Sequence, residues 1–561
     1  MKQFFTLMFL IPIMSFAQLN SFQWGELQKE DKKSLGKKII CEVQGKLYVV
    51  EAFQKSFFET VNINNHQPNF SIQIYDVSSL KLINTVKLEI PEKMVSCDVR
   101  VVIEDVLLFG NKVVVLLKKE DKKSKNTIYY LKDMESNTTL NKEWIEVISL
   151  KGGKSNEGLI KKVTSSKISY EVSKDGSKMA FVGCNEFVAD QEEKLVKVHL
   201  MGNDFKTILE KQQEVSSVNT SYQLDHIKVS NKGTVYIVGR ITTNSKAKKG
   251  ATNSYVTINE ITSSNVLEYQ VSVGTNYIGS VGLAIEEKIM RCDGVYSKLN
   301  GWTIGGYFSM TFKKGEPQSG VLKTTDLTKD FASLMRKQEK KRRLKAGSFG
   351  NVGRITISTD DMYELGSFDF KGYYPINNEG AYLVFEKYYR VEKKNESNPY
   401  GSVLNPSGGN SSNVVRYDHQ YFYGDILVFK ISKDGDPQWF KVIPKHQVTS
   451  NDFGKHSSFV VFQESTLLNF LFNDNAANLE RIKEGKKLKS FKGKNKGNLV
   501  KIELTEDGVS KRNFVLDLSD EEFLFNPQSS YFSEGKQTLF SIGSKDPPFQ
   551  KIKFKVGKIT F

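Results

Sequence analysis

Carboxylates are the residues through which this chain could carry out hydrolysis. A glycosidase needs two carboxyl groups that face each other across the scissile bond, and a repeated β fold can supply them from distant parts of the chain. Asp225, Glu386 and Asp425 are the candidates on or near predicted strands. The simpler interpretation is that each one is a turn or solvent-facing residue, so a glycosidase or lyase is the least favoured function.

Motifs of other catalytic centres are missing from the sequence. Residues 279–282 and 347–350 do not space their glycines as a GxSxG serine-hydrolase motif requires. Gly153, Lys154 and Ser155 lack the first glycine of a P-loop, because Ile148 stands at that position. HExxH is absent, and the histidines occur singly, at His66, His199, His226, His419, His446 and His456. We therefore predict no catalytic residue, no metal site and no cofactor.

The densest aromatic region flanks a polar insertion at about residues 391–424, whose tip is rich in Asn, Pro, Ser and Gly. Tyrosine buries a large area at low entropic cost and carries a hydroxyl group, so an aromatic hairpin is a suitable contact surface for a protein or a sugar. Alternatively, the aromatic side chains pair across strands and cover neighbouring structure. The candidate binding residues are Tyr388, Tyr389, Tyr400, Tyr417, Tyr421, Phe422 and Tyr423.

The formal net charge of the chain is +16, and one basic run follows a helical pattern at residues 330–344. Its cations are Arg336, Lys337, Lys340, Lys341, Arg342 and Arg343. This segment could contact an anionic partner, although a solvated helix is the preferred interpretation. Lysine clusters elsewhere alternate with acidic residues, and no nucleic-acid-binding motif accompanies them, so we predict no nucleic-acid partner.

A repeated β pattern must position these residues. A turn rich in Gly, Asn, Asp or Ser precedes a β-forming run at Gly45, Gly110, Gly176, Gly233, Gly301, Gly380, Ser465 and Gly535. Each unit holds about four strands, which is the number in a propeller blade. We predict an all-β fold in which residues 18–561 form a single β-propeller domain of eight blades. It carries a short helical insertion at about 328–367 and the long loop insertion in unit six.

Two other architectures fit the same pattern. A seven-bladed ring results if one unit is an insertion, and two packed β-sandwich domains would also account for the strands. If the fold is a propeller, its last blade is completed either by residues 21–27 or by a strand at the C-terminal end of the sequence.

The N-terminal segment predicts export. Lys2 precedes an apolar run at residues 4–13, and small residues follow up to a cleavage site after Ala17, so residues 1–17 read as a signal peptide. No segment approaches the roughly 20 apolar residues that a membrane-spanning helix needs. The cysteines, Cys41, Cys97, Cys184 and Cys292, are far apart, and we expect most of them to be buried thiols on strands.

The segment from Ala381 through Tyr389, the polar insertion and the stretch from Asp425 to Gln447 resemble secreted β-propeller-like proteins of the Bacteroidota with no assigned function. Asp434, Gly435, Trp439 and Pro444 belong to the same pattern, and the end of the signal peptide is also typical of that phylum. The resemblance implies an envelope or secreted setting and carries over no catalytic residue. Because residues 556–561 do not belong to a β-sandwich sorting domain of the type IX secretion kind, we expect the periplasm or an outer-membrane-associated location, with the cell surface as an alternative.

These observations predict a non-catalytic interaction or scaffold module of the cell envelope. Its faces and protruding loops would dock onto an envelope or outer-membrane protein complex, because a propeller is a rigid scaffold on which binding sites are built. A glycan- or peptide-binding propeller is the alternative, and a propeller glycosidase or lyase comes third.

Overall fold

The computed structural model describes residues 21–29, 34–53, 69–88, 99–121, 123–124, 126–135, 139–140, 144–151, 167–184, 194–216, 220–243, 254–298, 303–328, 356–359, 362–366, 368–376, 379–395, 416–450, 452, 454–493, 497–518, 523–545 and 553–561. The predicted signal peptide, the predicted basic helix and Tyr400 lie outside these residues. In the part that is described, the chain is all-β and forms a propeller of eight blades in a ring. The predicted fold class and blade number are therefore confirmed.

Blades 1 to 4 follow one another along the chain, and each is an antiparallel sheet. Blade 1 contains β3 (Ser34–Val43), β4 (Lys46–Phe53), β5 (Asn69–Asp76) and β6 (Leu82–Leu88). Blade 2 contains β7 (Val99–Phe109), β8 (Lys112–Asp121), β9 (Asn126–Glu135), β10 (Thr139–Leu140) and β11 (Ile145–Lys151). Blade 3 contains β12 (Lys167–Val172), β13 (Lys178–Cys184), β14 (Lys194–Gly202) and β15 (Thr207–Ser216). Blade 4 contains β16 (Thr220–Val229), β17 (Val235–Thr243), β18 (Ser254–Ile261) and β19 (Val266–Ser272).

Blades 5 to 7 contain the irregular segments. Blade 5 is formed by β20 (Tyr277–Ile285), β21 (Ile289–Ser297), β23 (Gly306–Lys313) and β24 (Glu316–Asp326), while β22 (Thr303–Ile304), β25 (Thr356–Thr359) and β26 (Met362–Gly366) form a separate small sheet. Blade 6 is formed by β27 (Phe368–Ile376), β28 (Gly380–Asn395), β29 (Arg416–Ser432), β30 (Pro437–Ile443) and β31 (Gln447–Ser450). Blade 7 is formed by β32 (Val460–Glu464), β33 (Leu467–Asn475), β34 (Gly497–Leu504) and β35 (Ser510–Asp517), with the short helix α1 (Asn478–Lys483) between β33 and β34.

Blade 8 closes the ring with strands from both ends of the sequence. β36 (Leu524–Ser533), β37 (Thr538–Lys545) and β38 (Lys553–Thr560) are completed by β1 (Ser21–Trp24) and β2 (Gln28–Lys29), which both pair with β38. Ser21 lies opposite Thr560, and Trp24 lies opposite Gly557. Of the two closures that the sequence left open, the structure has the one by the N-terminal strand.

The core is a ring of apolar clusters, one at each junction between neighbouring blades. Blades 4 and 5, for example, share a cluster that contains Tyr236, Val238, Met290 and Phe308, all of them fully buried. Blades 1 and 8 share a cluster in the same way, through residues such as Leu47 and Phe540. Both faces of each blade are therefore buried, and this explains why the second strands are nearly continuous apolar runs.

Most of the predicted turns lie directly before the second strand of a blade. The turn residues Gly45, Gly110, Gly176 and Gly233 have positive φ angles, which glycine adopts at low cost, and each turn leads into the second strand of its blade. Blade 5 is the exception, because its second strand, β21, follows residues 286–288, a turn of two glutamates and a lysine. The unit predicted at Gly301 corresponds to β22 and β23 instead.

The first strand of each blade is the innermost one. First strands of neighbouring blades contact each other, as β12 and β16, β20 and β27, and β3 and β36 do. Irregular registers interrupt β3, β7, β16, β20, β27 and β36. A bulge bends a strand and changes the direction of a side chain, and Asp225 and Lys371 occupy such positions in β16 and β27.

Two further observations concern membrane and cysteine predictions. None of the described helices has the length and apolar character that crossing a bilayer requires. Cys41 and Cys292 are buried, unpaired thiols on strands, as expected, and Cys184 is likewise a buried strand residue. Burial raises the pKa of the Cys41 thiol to about 12, so this thiol is unreactive near neutral pH. Cys97 lies outside the described residues.

Candidate functional site

The β28–β29 hairpin is the first candidate, because it extends beyond the blade that it belongs to. Phe368, the first residue of β27, pairs with Lys387, so the later residues of β28 have only β29 beside them in the described part of the chain. On its other side β29 pairs with β31, from Gln420 to Tyr423. The hairpin is therefore supported by a third strand on the β29 side. Among the described residues, the part of β28 after Lys387 is the edge of the sheet.

Aromatic side chains pair across this hairpin, as the alternative interpretation of the sequence predicted. Tyr389 and Phe422 stack with ring centroids 4.5 Å apart, and both are half-buried. Tyr388 and Tyr423 pair on the opposite face at 4.8 Å. Tyr423 and Tyr421 are only 7% and 5% exposed, so these two rings belong to the packing of the hairpin.

The side chains of the remaining candidate tyrosines, Tyr400 and Tyr417, lie outside the part of the chain that the structure describes. The backbone of Tyr417 lies opposite Lys394, farther along the hairpin, and Tyr400 and the cations at 336–343 lie outside the described residues. Of the predicted contact residues whose side chains the structure describes, Tyr389 and Phe422 on one face and the half-buried Tyr388 on the other are those that a partner could reach.

Glu386 and Asp425 lie in a buried polar cluster between blades 6 and 7. Lys445 Nζ lies 2.6 Å from Glu386 Oε1, with both side chains fully buried, and Lys371 Nζ lies 3.2 Å from Glu386 Oε2. Ser458 Oγ donates to Glu386 at 2.6 Å, and the backbone N–H of Lys445 donates to Asp425. Burial lowers the pKa of Lys445, and Glu386 opposes that effect. These two carboxylates are therefore engaged by residues of their own blade, and Ser458, which precedes blade 7, adds a further contact to Glu386.

Asp225 lies instead on a cavity of about 1000 Å³ enclosed by the innermost strands of several blades. Residues of β12, β16, β20 and β27 line it, together with the turns that follow these strands. Since these strands belong to blades 3 to 6, the cavity occupies the centre of the ring on that side. We call it the central cavity.

An ion pair forms part of the wall of the central cavity. Arg240 Nη2 donates to Asp225 Oδ2 at 2.8 Å, and the two side chains are 20% and 11% exposed. Burial is the main influence on Asp225 and raises the pKa of its carboxyl group, although Arg240 acts in the opposite direction. Arg240 Nε is buried and has no hydrogen-bond partner among the described residues.

Lys228 and His226 lie on the same wall as this pair. Lys228 Nζ lies 3.3 Å from Glu171 Oε1, which joins blades 4 and 3. His226 follows Asp225 in the bulged segment of β16, and burial, with a smaller effect of Lys228, lowers its pKa to about 4. The imidazole is therefore neutral near pH 7. The cavity is also lined by Lys174, Lys232 and Lys314 and by Glu286 and Glu287, so its wall carries a small excess of positive charge.

Another part of the wall of the central cavity contains aromatic rings on β27. Phe370 is half-buried and packs against Phe385 with ring centroids 5.3 Å apart. Tyr373 is fixed by blade 5, because its hydroxyl group donates to Asp293 Oδ2 at 2.8 Å and accepts from Arg291 Nη2 at 3.2 Å. This wall is consequently rigid, and it presents aromatic surface rather than charge.

The sequence singled out Asp225 but not Arg240, His226 or Phe370. Arg240 pairs with Gln223 in the strand register, so its contact with Asp225 is diagonal and depends on the bulge in β16. A sequence pattern of alternating residues contains no sign of such a bulge. Among the described residues, no group of three or more His, Cys, Asp or Glu could hold a metal ion.

No protein-family model and no curated protein matches the sequence. Solved structures match at low identity. A polysaccharide lyase aligns with 95% of this chain and 91% of its own, at 8% identity and a TM-score of 0.37. An apocarotenoid oxygenase of Synechocystis aligns with 95% and 92%, at 7% identity and 0.32. An α-L-arabinanase of Penicillium chrysogenum, complexed with arabinobiose, aligns with 55% and 98%, at 9% identity and 0.27. Such values support no inference about the activity of this chain.

Proposed function

We propose that this protein is an exported, non-catalytic interaction module of the cell envelope, which docks onto an envelope or outer-membrane protein complex through the β28–β29 hairpin. The observation that carries the proposal is the half-buried stack of Tyr389 on Phe422, on a part of the hairpin that extends beyond β27. Aromatic residues are enriched at the centre of protein interfaces, where they dominate the binding energy.

A non-catalytic role is supported by the partners of the three candidate carboxylates. Asp225 pairs with Arg240, Glu386 pairs with Lys445 and Lys371, and Asp425 accepts the backbone N–H of Lys445. Two carboxyl groups that faced one another across an open cleft would instead favour glycoside cleavage.

The rigidity of the hairpin supports docking without large rearrangement. β31 pairs with β29 along residues 420–423, and Gln447 of β31 anchors this strand to blade 7 by donating to the backbone carbonyl of Asn473 at 2.8 Å. A preorganised surface loses little conformational entropy when it binds, so more of its contact energy appears as affinity.

Crosslinking mass spectrometry of the tagged protein, expressed from its own locus and purified from whole envelopes, tests the proposal. We expect crosslinks from the hairpin to a defined envelope protein, and we expect Tyr389→Ala with Phe422→Ala to remove them. A variant that lacks residues 392–413 should lose them as well. Phe514→Ala is the matched control, since Phe514 is an exposed aromatic residue on blade 7.

Two results would contradict the docking role. Crosslinks that persist in both hairpin variants would assign the partner to another surface. A protein that is recovered without any crosslinked partner, but binds a glycan or peptide array through Tyr389 and Phe422, would favour the alternative of a glycan- or peptide-binding hairpin.

A further inference from the structure

The central cavity has the size of a ligand site, and it is separate from the hairpin. Its volume of about 1000 Å³ is at the upper end of the roughly 300–1,000 Å³ that ligand pockets span. Strands from four blades contribute to its wall, so its shape is set by the ring as a whole.

The Asp225–Arg240 pair offers a donor and an acceptor that the protein itself does not use. Arg240 Nε has no partner, and no described residue hydrogen-bonds to the second oxygen of Asp225, Oδ1. Arg240 Nε is itself inaccessible from the cavity, so a ligand would bind the exposed part of the guanidinium group and Asp225 Oδ1, on side chains that are 20% and 11% exposed.

The charge balance of the wall selects the kind of ligand. An anion would approach the carboxylate of Asp225, and a cation would approach the guanidinium of Arg240, so neither is favoured over a neutral molecule. Lys228 is already paired with Glu171. The other charged residues of the wall are Lys174, Lys232 and Lys314 against Glu286 and Glu287, which leaves an excess of only one positive charge. A hydroxyl group both donates and accepts, so two hydroxyl groups on adjacent carbons could serve Asp225 and Arg240 together.

The aromatic wall adds a second requirement. Phe370 and Tyr373 present ring surface on β27, and the hydroxyl group of Tyr373 is engaged by Asp293 and Arg291. A suitable ligand therefore has a polar edge for β16 and β17 and an apolar face for β27. Sugar rings combine these two surfaces, since their hydroxyl groups lie at the edge and their C–H groups lie on the faces.

We infer that the central cavity binds a neutral oligosaccharide, with Asp225 and Arg240 hydrogen-bonding to hydroxyl groups on adjacent carbons and Phe370 packing against an apolar face of a sugar ring. The volume favours a chain of several sugars over a single one. This site does not depend on the hairpin, so the proposed docking role and the oligosaccharide site can fail separately.

Isothermal titration calorimetry with the purified protein tests the inference. The probes are a panel of neutral plant and microbial oligosaccharides, matched uronic-acid oligosaccharides and a mixture of neutral peptides. We expect one class of neutral oligosaccharide to bind, and we expect Asp225→Asn and Arg240→Met each to weaken it about tenfold to a hundredfold, the effect of losing a hydrogen bond to a charged group.

Further variants separate a ligand contact from a loss of folding. Phe370→Ala should also weaken binding, whereas Asp436→Asn, which removes an exposed ion pair with Lys323, should leave it unchanged. Tyr389→Ala with Phe422→Ala should likewise have no effect, because the hairpin is a different surface. The thermal unfolding midpoint of each variant is measured too, and an unchanged midpoint shows that a loss of binding is not a loss of folding.

Three outcomes would overturn the inference. The first is that no oligosaccharide of the panel binds at millimolar concentration. The second is binding that Asp225→Asn, Arg240→Met and Phe370→Ala leave unchanged. The third is a preference for the uronic-acid series or for peptides, because it would mean that the charge balance or the diol geometry selects another ligand.

Discussion

Glu386 was a candidate catalytic carboxylate in the sequence, but in the structure its side chain forms buried ion pairs. It lies between Lys445 and Lys371, and it accepts from Ser458 as well. Removing one partner of a buried ion pair is costly, because it leaves the other charge buried without compensation. The four residues therefore depend on one another for stability.

We predict that Glu386→Gln lowers the free energy of unfolding by about 3–5 kcal/mol, since Lys445 then remains fully buried without its counter-charge. Denaturant unfolding followed by tryptophan fluorescence measures the change. Glu26→Gln is the control, because Glu26 and Lys81 form an exposed pair and such pairs contribute about 0–1 kcal/mol. A loss below 1 kcal/mol in Glu386→Gln would show that Lys445 does not depend on Glu386 for charge compensation.

His226 makes the stability of the ring depend on pH. Its pKa falls from 6.5 to about 4 on folding, so between these values the unfolded chain binds a proton that the folded chain does not. Stability is therefore lost as the pH falls below 6.5, and the loss is complete below about 4. Asp225 acts in the opposite sense, because its pKa is raised on folding.

We predict that His226→Gln removes about 3 kcal/mol of the stability that the folded protein loses as the pH falls from 7 to 4. The free energy of unfolding, measured at intervals between pH 7 and pH 4, should fall less steeply in the variant than in the unmodified protein. Gln223→Ala, an exposed substitution on the same strand, should reproduce the unmodified curve. Parallel curves for His226→Gln and the unmodified protein would contradict the burial of a neutral imidazole.

Gly282 shows how closely the innermost strands approach one another. A Cβ atom at this position of β20 would overlap the ring of Tyr373 on β27. That ring cannot move aside easily, because Asp293 and Arg291 hold its hydroxyl group. The junction of blades 5 and 6 therefore requires glycine at this position.

We predict that Gly282→Ala destabilises the protein by about 1–3 kcal/mol, the usual cost of overpacking. The midpoint of thermal unfolding is a sufficient measurement. Gly535→Ala is the matched control, since a Cβ atom there meets nothing within 4 Å. If both variants unfold at the same temperature as the unmodified protein, the contact between β20 and β27 is looser than the structure indicates.

Elements with strong local signals were predictable from the sequence, and the others were not. Glycines at positive φ identified the turn before the second strand in blades 1 to 4, because that backbone conformation restricts the residue type. The turn at 286–288 has no glycine, so the second strand of blade 5 was missed. Bulges such as the one at Asp225 depend on contacts between strands, and no local pattern encodes them.

The candidate site was predicted less well, for the same reason. Asp225 and the hairpin tyrosines were recognised by residue type. Arg240 and Phe370 could not be assigned to the central cavity, because they approach it from different strands and, for Phe370, from a different blade. Burial of Tyr421 and Tyr423 also depends on neighbours such as β31, which the sequence does not reveal.

At the scale of the whole molecule, stability is shared among equivalent junctions. Every pair of neighbouring blades shares one apolar cluster, and the junctions of blade 8 include strands from both ends of the sequence. Trp24 lies across Gly543 and Gly557, two glycines on adjacent strands whose missing Cβ atoms leave room for the indole ring. This contact fastens β1 to the rest of blade 8.

We predict that Trp24→Ala lowers the free energy of unfolding of the entire ring by at least about 2 kcal/mol, from the apolar area that is no longer buried. Calorimetry should show one transition at a lower temperature. Gln23→Ala, the neighbouring exposed residue on β1, should leave the transition in place. A separate, small transition for blade 8 would mean that the ring does not unfold cooperatively.

The pairing of Ser21 with Thr560 also sets an order of events during synthesis. β1 is synthesised long before its partner β38, so it stays unpaired while the first seven blades are made. Until β36, β37 and β38 emerge, the apolar faces of blades 1 and 7 that blade 8 will cover remain open to water. A prematurely terminated chain would keep both faces exposed, and this distinguishes it, for chaperones and proteases, from a finished one.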